Sequence, residues 1–193
     1  SSSSPGIYVS VEGRLLAPLN LKFERVAPDG FRNWNLPKPV FRASPGRAFT
    51  LPGKGELTAA LERAMNRSCI VKIYPGMKGD YLIALMDTGV RYFVLELYDT
   101  GTASLRESPY SLRKAFLAGK ERSAVFFCTS QQEGIVDFSG YVTSHELWRE
   151  GAIPMGGLTT ESVYTRLLVG LALLENEEEV PDFMEEANAD VAG

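Results

Sequence analysis

Three short apolar runs recur through the middle of the chain: SCIVKIY (68–74), RYFVLEL (91–97) and SAVFFCT (123–129). Their length and their β-branched and aromatic content predict parallel strands buried on both faces. Between them lie helix-like segments with recognisable ends. DYLIALMDTG stops at Gly89. SPYSLRKAFLAG offers Ser108 as N-cap, Pro109 at the first helical position and Gly119 just past the end. YVTSHELWREG stops at Gly151, ahead of the short apolar AIP. Helix, glycine and strand repeat three times, the pattern of successive βα units whose crossovers cover a parallel sheet. ELTAALERAMNR (56–67) has helical propensity and helical apolar spacing. A last helix, from Thr159 or Thr160 to about Leu174, is apolar nearly all round, which predicts burial against the sheet or a partner subunit. The fold class expected is α/β, Rossmann-like, with a parallel sheet and helices on both faces.

Ahead of this unit the pattern differs. GIYVSV and RLLAPLNLKF flank the short turn Glu12-Gly13 and predict a β-hairpin over residues 6–26. Pro28, Pro37, Pro39, Pro45 and Pro52, with glycines between them, predict an extended linker. The chain thus divides into a hairpin (1–27), a linker (28–55) and an α/β domain (56–193).

Composition adds constraints. At 193 residues, 45% hydrophobic and 23% charged, the chain has the makeup of a soluble globular protein. No apolar run approaches the ~20 residues of a membrane span, and SSSSPGIYV lacks the features of a signal peptide. Cys69 and Cys128 each sit inside an apolar run, which predicts buried free thiols, no metal site and a cytoplasmic setting. Of the 24 acidic residues, eight lie in 175–190, where no basic residue occurs; the other 16 face 20 Lys and Arg, leaving the body at +4. That balance, without a basic cluster, does not point to nucleic acid. The acidic tail reads as a solvated helix face, because Val180, Phe183, Met184, Ala187 and Val191 form a stripe able to dock on the body.

Ligands of open parallel sheets meet the loops at the carboxyl ends of the strands. Four such loops are small, polar and glycine-containing: YPGMKGD (74–80), YDTGTASLRES (98–108), TSQQEG (129–134) and PMGGLTTE (154–161). Helix starts after them favour a carboxylate ligand. No phosphate-binding G-x-x-x-x-G-K-[ST] motif and no G-x-S-x-G elbow occurs. His145, the one histidine, lies on an amphipathic helix with no nucleophile in its pattern, and Asp87, Glu96, Asp99 and Asp137 show no pairing.

In these loops the chain resembles the C-terminal portion of the L-asparaginase/glutaminase family, nearest its cytoplasmic, type I-like branch. That branch has a strand ending in Y-P-G, a Y-G-x-G-N loop, a T-Q-C or S-Q-C strand end and a G-x-D-M-T-x-E-A helix entry. Here the corresponding residues are Tyr74-Pro75-Gly76, Tyr98-Asp99-Thr100-Gly101-Thr102, Thr129-Ser130-Gln131-Gln132 and Gly156-Gly157-Leu158-Thr159-Thr160-Glu161-Ser162, in the same order. The resemblance runs from about residue 6 to the tail.

The resemblance implies hydrolysis of L-asparagine to L-aspartate and ammonia without a cofactor, in a dimer or tetramer. The catalytic threonines, aspartate and lysine of the family lie in T-G-G-T-I and H-G-T-D-T motifs of an N-terminal domain, and this chain contains neither motif. The hairpin would be the remnant of that domain, and the chain alone would be inactive. The positions facing a small amino-acid substrate or effector would be Tyr98, Gly101, Thr102, Thr129, Ser130, Gln131, Thr159 and Glu161. Four departures stand out. Thr102 replaces a loop asparagine, Gly157 an aspartate, Gln132 a cysteine, and Glu96 a common arginine, which sets like charge against a ligand carboxylate. Two alternatives remain open: a non-enzymatic ligand-sensing or oligomerisation module, and an asparaginase-like subunit of an amidotransferase acting on glutamyl-tRNA. In the family the stretch before Y-P-G is usually extended, in conflict with the helical pattern of 56–67.

Overall fold

The computed structural model describes residues 9–11, 14–16, 21–23, 31–33, 49–98, 101–138 and 142–189. The Glu12-Gly13 turn, Pro28, Pro37, Pro39, Pro45, Asp99 and Val191 lie outside them. Strands β1 (Val9–Val11) and β2 (Arg14–Leu16) pair antiparallel, as the hairpin pattern predicts. Strands β3 (Leu21–Phe23) and β4 (Phe31–Asn33) form a second antiparallel pair. The stretch expected to be all linker therefore holds a strand, in a span that contains none of its prolines and glycines.

Helix α1 (Lys54–Arg67) follows the helical pattern, not the extended form suggested by the resemblance. The Glu56 carboxylate accepts the Gly53 N–H at 3.2 Å. Ala60 and Ala64 bury a narrow face, and the Ser68 hydroxyl donates to the Ala64 carbonyl at 2.8 Å where the chain turns into β5 (Ser68–Lys72). There follow α2 (Gly79–Asp87), β6 (Tyr92–Leu97), α3 (Arg113–Glu121), β7 (Val125–Ser130), α4 (Val142–Arg149), β8 (Ala152–Pro154) and α5 (Thr160–Leu173). A 3-10 turn at Glu177–Glu179 leads into α6 (Val180–Ala189).

The four later strands form one parallel sheet in the order β5-β6-β7-β8. Side chains alternate across it. Phe93, Leu95 and Leu97 pack with Leu82, Met86, Ala115, Phe116 and Leu147 from α2, α3 and α4. Tyr92, Val94 and Phe127 pack on the other face with Val163 and Leu167 of α5 and with Val180, Phe183 and Met184 of α6. The strand order advances without reversal, so successive right-handed crossovers put α2, α3 and α4 on one face. The tail follows its pattern: Val180, Phe183 and Met184 are buried while Glu185 and Glu186 face water. Helix α5, expected to meet the sheet or a partner, is covered by the sheet and by α1 and α6 of its own chain. The thiols are free, and burial pushes Cys69 up to about 11 and Cys128 higher still.

Helix α3 departs from its predicted ends. Ser108 stands in a turn, its hydroxyl accepting the Tyr110 N–H at 3.2 Å and its carbonyl the Ser111 N–H at 3.1 Å. The Leu112 N–H is tied to the Ser104 carbonyl at 2.9 Å and its side chain is fully buried, so the helix begins only at Arg113. Gly119 lies inside the helix, where a Cβ would sit 2.5 Å from Cε2 of Phe126. That ring also stacks on Phe93 and lies tilted against Phe116, so it has little room to retreat. We expect Gly119→Ala to destabilise the fold by about 1–3 kcal/mol despite its better helix propensity, read as a lower midpoint in urea unfolding.

At the amino ends of the strands, Arg67 meets both oxygens of Glu177, one at 2.9 Å, and the Tyr92 hydroxyl donates to the same carboxylate at 3.1 Å. The Tyr92 phenol is pushed up to about 12, chiefly by burial. Hydrogen bonding from Arg67 holds the Glu177 carboxyl below its usual range. A carboxyl depressed in the native state stabilises the fold above its unfolded pKa, and that contribution is lost as pH falls through the folded value. The side chains are 41% and 49% exposed, so the pair contributes only ~0.2–1 kcal/mol. Wild type should therefore be more stable than Glu177→Gln at neutral pH, and the difference should vanish in unfolding curves taken below the carboxylate range.

Candidate functional site

The polar residues at the carboxyl edge of the sheet follow from strand register. Glu96 of β6 lies beside Thr129 of β7, and parity turns both side chains to the α5 face. Thr160, the first residue of α5, comes down onto them. Its hydroxyl donates to Glu96 Oε1 at 2.7 Å and lies 2.8 Å from the Thr129 hydroxyl. With the Thr160 proton committed to the carboxylate, Thr129 is the donor to Thr160, so the chain of hydroxyls runs from Thr129 through Thr160 to Glu96. Thr129 also comes within 3.5 Å of the Leu95 carbonyl. Thr159 caps α5, its hydroxyl accepting the Ser162 N–H at 3.4 Å. The half-buried Glu96 carboxylate thus occupies the positive end of α5, a placement worth about 0.3–1 kcal/mol.

Gln131 ties the strand ends together. Its side-chain amide donates to the Ile73 carbonyl at 2.5 Å and to the Glu96 carbonyl at 3.0 Å. Ser130 points to the opposite face and accepts the Gln132 N–H at 3.1 Å. Tyr98, Gly101 and Thr102 form a tight turn. The Thr102 N–H donates to the Tyr98 carbonyl at 3.0 Å, and the Tyr98 N–H to the Thr102 carbonyl at 3.1 Å. Gly101 has φ +104°, and a Cβ there would lie 2.7 Å from Val136 Cγ1. The Thr102 hydroxyl folds back to within 3.4 Å of the Tyr98 carbonyl. Beside this turn, Tyr74, Met77, Tyr98, Tyr110 and Leu112 line a cavity of about 180 Å³. Burial raises the Tyr98 phenol above its ordinary value.

The expected site residues therefore fall into groups. Thr129, Thr159 and Glu161 surround the start of α5, Tyr98, Gly101 and Thr102 share the turn beside the tyrosine-lined cavity, and Ser130 and Gln131 join the strand ends. Glu96 and Thr160 are central to the first group, yet the loop pattern does not single them out as site residues. The two-residue alternation of β6 and β7 is the signal that would have found Glu96. His145 stands edge-on to Trp148, with centroids 5.5 Å apart. Among the described residues no cluster of three or more His, Cys, Asp or Glu side chains is gathered for a metal, and no helix is long and apolar enough to cross a membrane.

A model of the glutaminase/asparaginase C-terminal domain matches residues 67–184. The chain belongs to this family. Curated relatives include a glutamyl-tRNA(Gln) amidotransferase subunit from Pyrococcus abyssi, 28% identical over 124 residues, covering 64% of this chain and 27% of that protein. The same subunit from Thermofilum pendens is 26% identical over 161 residues, covering 79% and 34%. The solved thermostable L-asparaginase from Thermococcus kodakarensis shares the fold with a TM-score of 0.70 at 22% identity, over 94% of this chain and 55% of its own. L-Asparaginase I from Vibrio cholerae does so at 0.68 and 18% identity, over 92% and 55%. The chain thus spans about a third of these curated relatives and about half of these solved structures.

In this asparaginase-family domain the buried hydroxyls order one another and the carboxylate, which leaves them poorly exposed for nucleophilic attack. Thr160→Val removes the donor to Glu96 and the acceptor of Thr129. It should cost about 1–3 kcal/mol in chemical denaturation. Thr129→Val combined with Thr160→Val should cost less than the sum of the single changes, because both break the same bond.

Proposed function

We propose that this chain is the C-terminal part of an asparaginase-like amide hydrolase and supplies a wall of its site, while the nucleophile comes from residues outside the C-terminal domain. The family match over 67–184 carries this reading. In it, the paired strands β1–β2 and β3–β4 precede the C-terminal domain in the chain, and the free thiols fit a cytoplasmic setting. The carboxyl-edge geometry agrees with a supporting role. Thr129, Thr160, Glu96 and Gln131 bond to one another or to nearby main chain. The Glu96 carboxylate disfavours a ligand carboxylate at the start of α5 through like charge. Tyr98, Gly101 and Thr102, in the turn beside the tyrosine-lined cavity, are then the part that faces a small amino-acid ligand, in an assembly with further copies.

A second reading is favoured by the curated relatives named above, which are glutamyl-tRNA(Gln) amidotransferase subunits. In it the same wall belongs to an asparaginase-like subunit of a glutamyl-tRNA(Gln) amidotransferase. Both readings predict no amidase activity from this chain alone. Ammonia release from L-asparagine and L-glutamine should stay at the buffer background, and robust turnover of either amide would overturn the assignment.

A further inference from the structure

A second polar cavity lies at the opposite end of the sheet, outside everything assigned above. It has a volume of about 350 Å³ and is lined by Arg63, Ala64, Asn66, Arg67, Leu171 and Glu177. That is the lower end of the ~300–1,000 Å³ range of small-molecule sites. Arg63 and Arg67 stand one turn apart on α1, so their side chains share a face. Arg67 is engaged by Glu177, and its guanidinium carbon lies 5.7 Å from the Tyr92 ring centroid. Arg63 is exposed and has no ion pair among the described residues. The lining thus carries two guanidiniums against one carboxylate, for a net charge of +1, with the Asn66 amide as a further donor. Arg63, Ala64 and Asn66 precede the family domain, which starts at Arg67, so the cavity is built at its border.

We propose that this cavity is a binding site for a small oxyanion, a carboxylate or phosphate group, and that Glu177 is its built-in competitor. The planar fork of arginine matches such groups bidentately, and Glu177 already demonstrates the geometry from within the chain. An incoming anion bridges Arg63 and Arg67 and displaces at least one Glu177 oxygen, which frees the acidic turn at 177–179. Helix α6 stays attached, because Arg166 holds the Phe183 carbonyl at 2.6 and 2.9 Å. Anion occupancy thereby trades with closure of the acidic segment. The site does not depend on the amidase reading.

Isothermal titration with inorganic phosphate and with succinate, at constant ionic strength set with potassium chloride, tests this. Saturable one-to-one binding of either anion is expected. Phosphate alone would mark a phosphate site, succinate alone a carboxylate site, and both a general oxyanion site, each in support. Arg63→Gln should weaken binding about tenfold, while Glu177→Gln, which removes the competitor, should tighten it about tenfold. Both positions are exposed, so circular dichroism should show both variants folded. Absence of saturable binding, an unchanged affinity in Arg63→Gln, or an unchanged or weaker affinity in Glu177→Gln would each overturn the proposal.

Discussion

A central strand of a parallel sheet covered by helices has no face it can leave to water, and that constraint organises this molecule. Strand β6 sits between β5 and β7, and five of its six residues are buried. One set of its side chains meets α2, α3 and α4, the other α5 and α6. The single charge of the strand, Glu96, is therefore placed at its carboxyl end, where the helical layer opens and an α5 hydroxyl can meet it. Burial on both faces dictates the apolar run, and the end of burial dictates where polar chemistry resumes.

The two ends of the sheet then behave differently. At the carboxyl end, the Glu96 carboxylate and the Thr129 and Thr160 hydroxyls bond to one another at the start of α5, while the Gln131 amide ties the main chain of the strand ends together. At the amino end, Arg67, Tyr92 and Glu177 join the first helix to the acidic tail across 110 positions of sequence. The first arrangement is largely buried; the second is open to water and pairs one guanidinium with one carboxylate.

Much of this was legible in the sequence because it depends on local periodicity. The apolar runs marked β5, β6 and β7, and the start of α5 was narrowed to Thr159 or Thr160, of which the structure makes Thr159 the cap. Propensity outweighed analogy at 54–67, where alanines at helical spacing had a partner helix to meet. The misreadings came from contacts just beyond the reach of a local pattern. Ser108 and Pro109 look like a helix start, but the anchoring of Leu112 delays it, and Gly119 looks like a helix end until Phe126 is seen lying across it. Strand β4 hid among prolines because its pairing with β3 reaches across Pro28, which a local reading takes as a break. Thr160 became a site residue only when the register of β6 and β7 placed Glu96 and Thr129 under α5.

Helix α6 has a consequence of another kind. It presses so closely on α5 that a Cβ at Gly170 would lie 2.8 Å from Phe183 Cδ1, and Arg166 stacks 4.1 Å from that ring. The cover for this groove is encoded after the groove itself. During synthesis α5 emerges first and its apolar flank waits uncovered until Phe183 and Met184 arrive. Transiently exposed apolar surface of this sort is what chaperones recognise and what drives premature association. A stall that keeps α6 inside the ribosome after α5 has emerged would thus prolong that exposure.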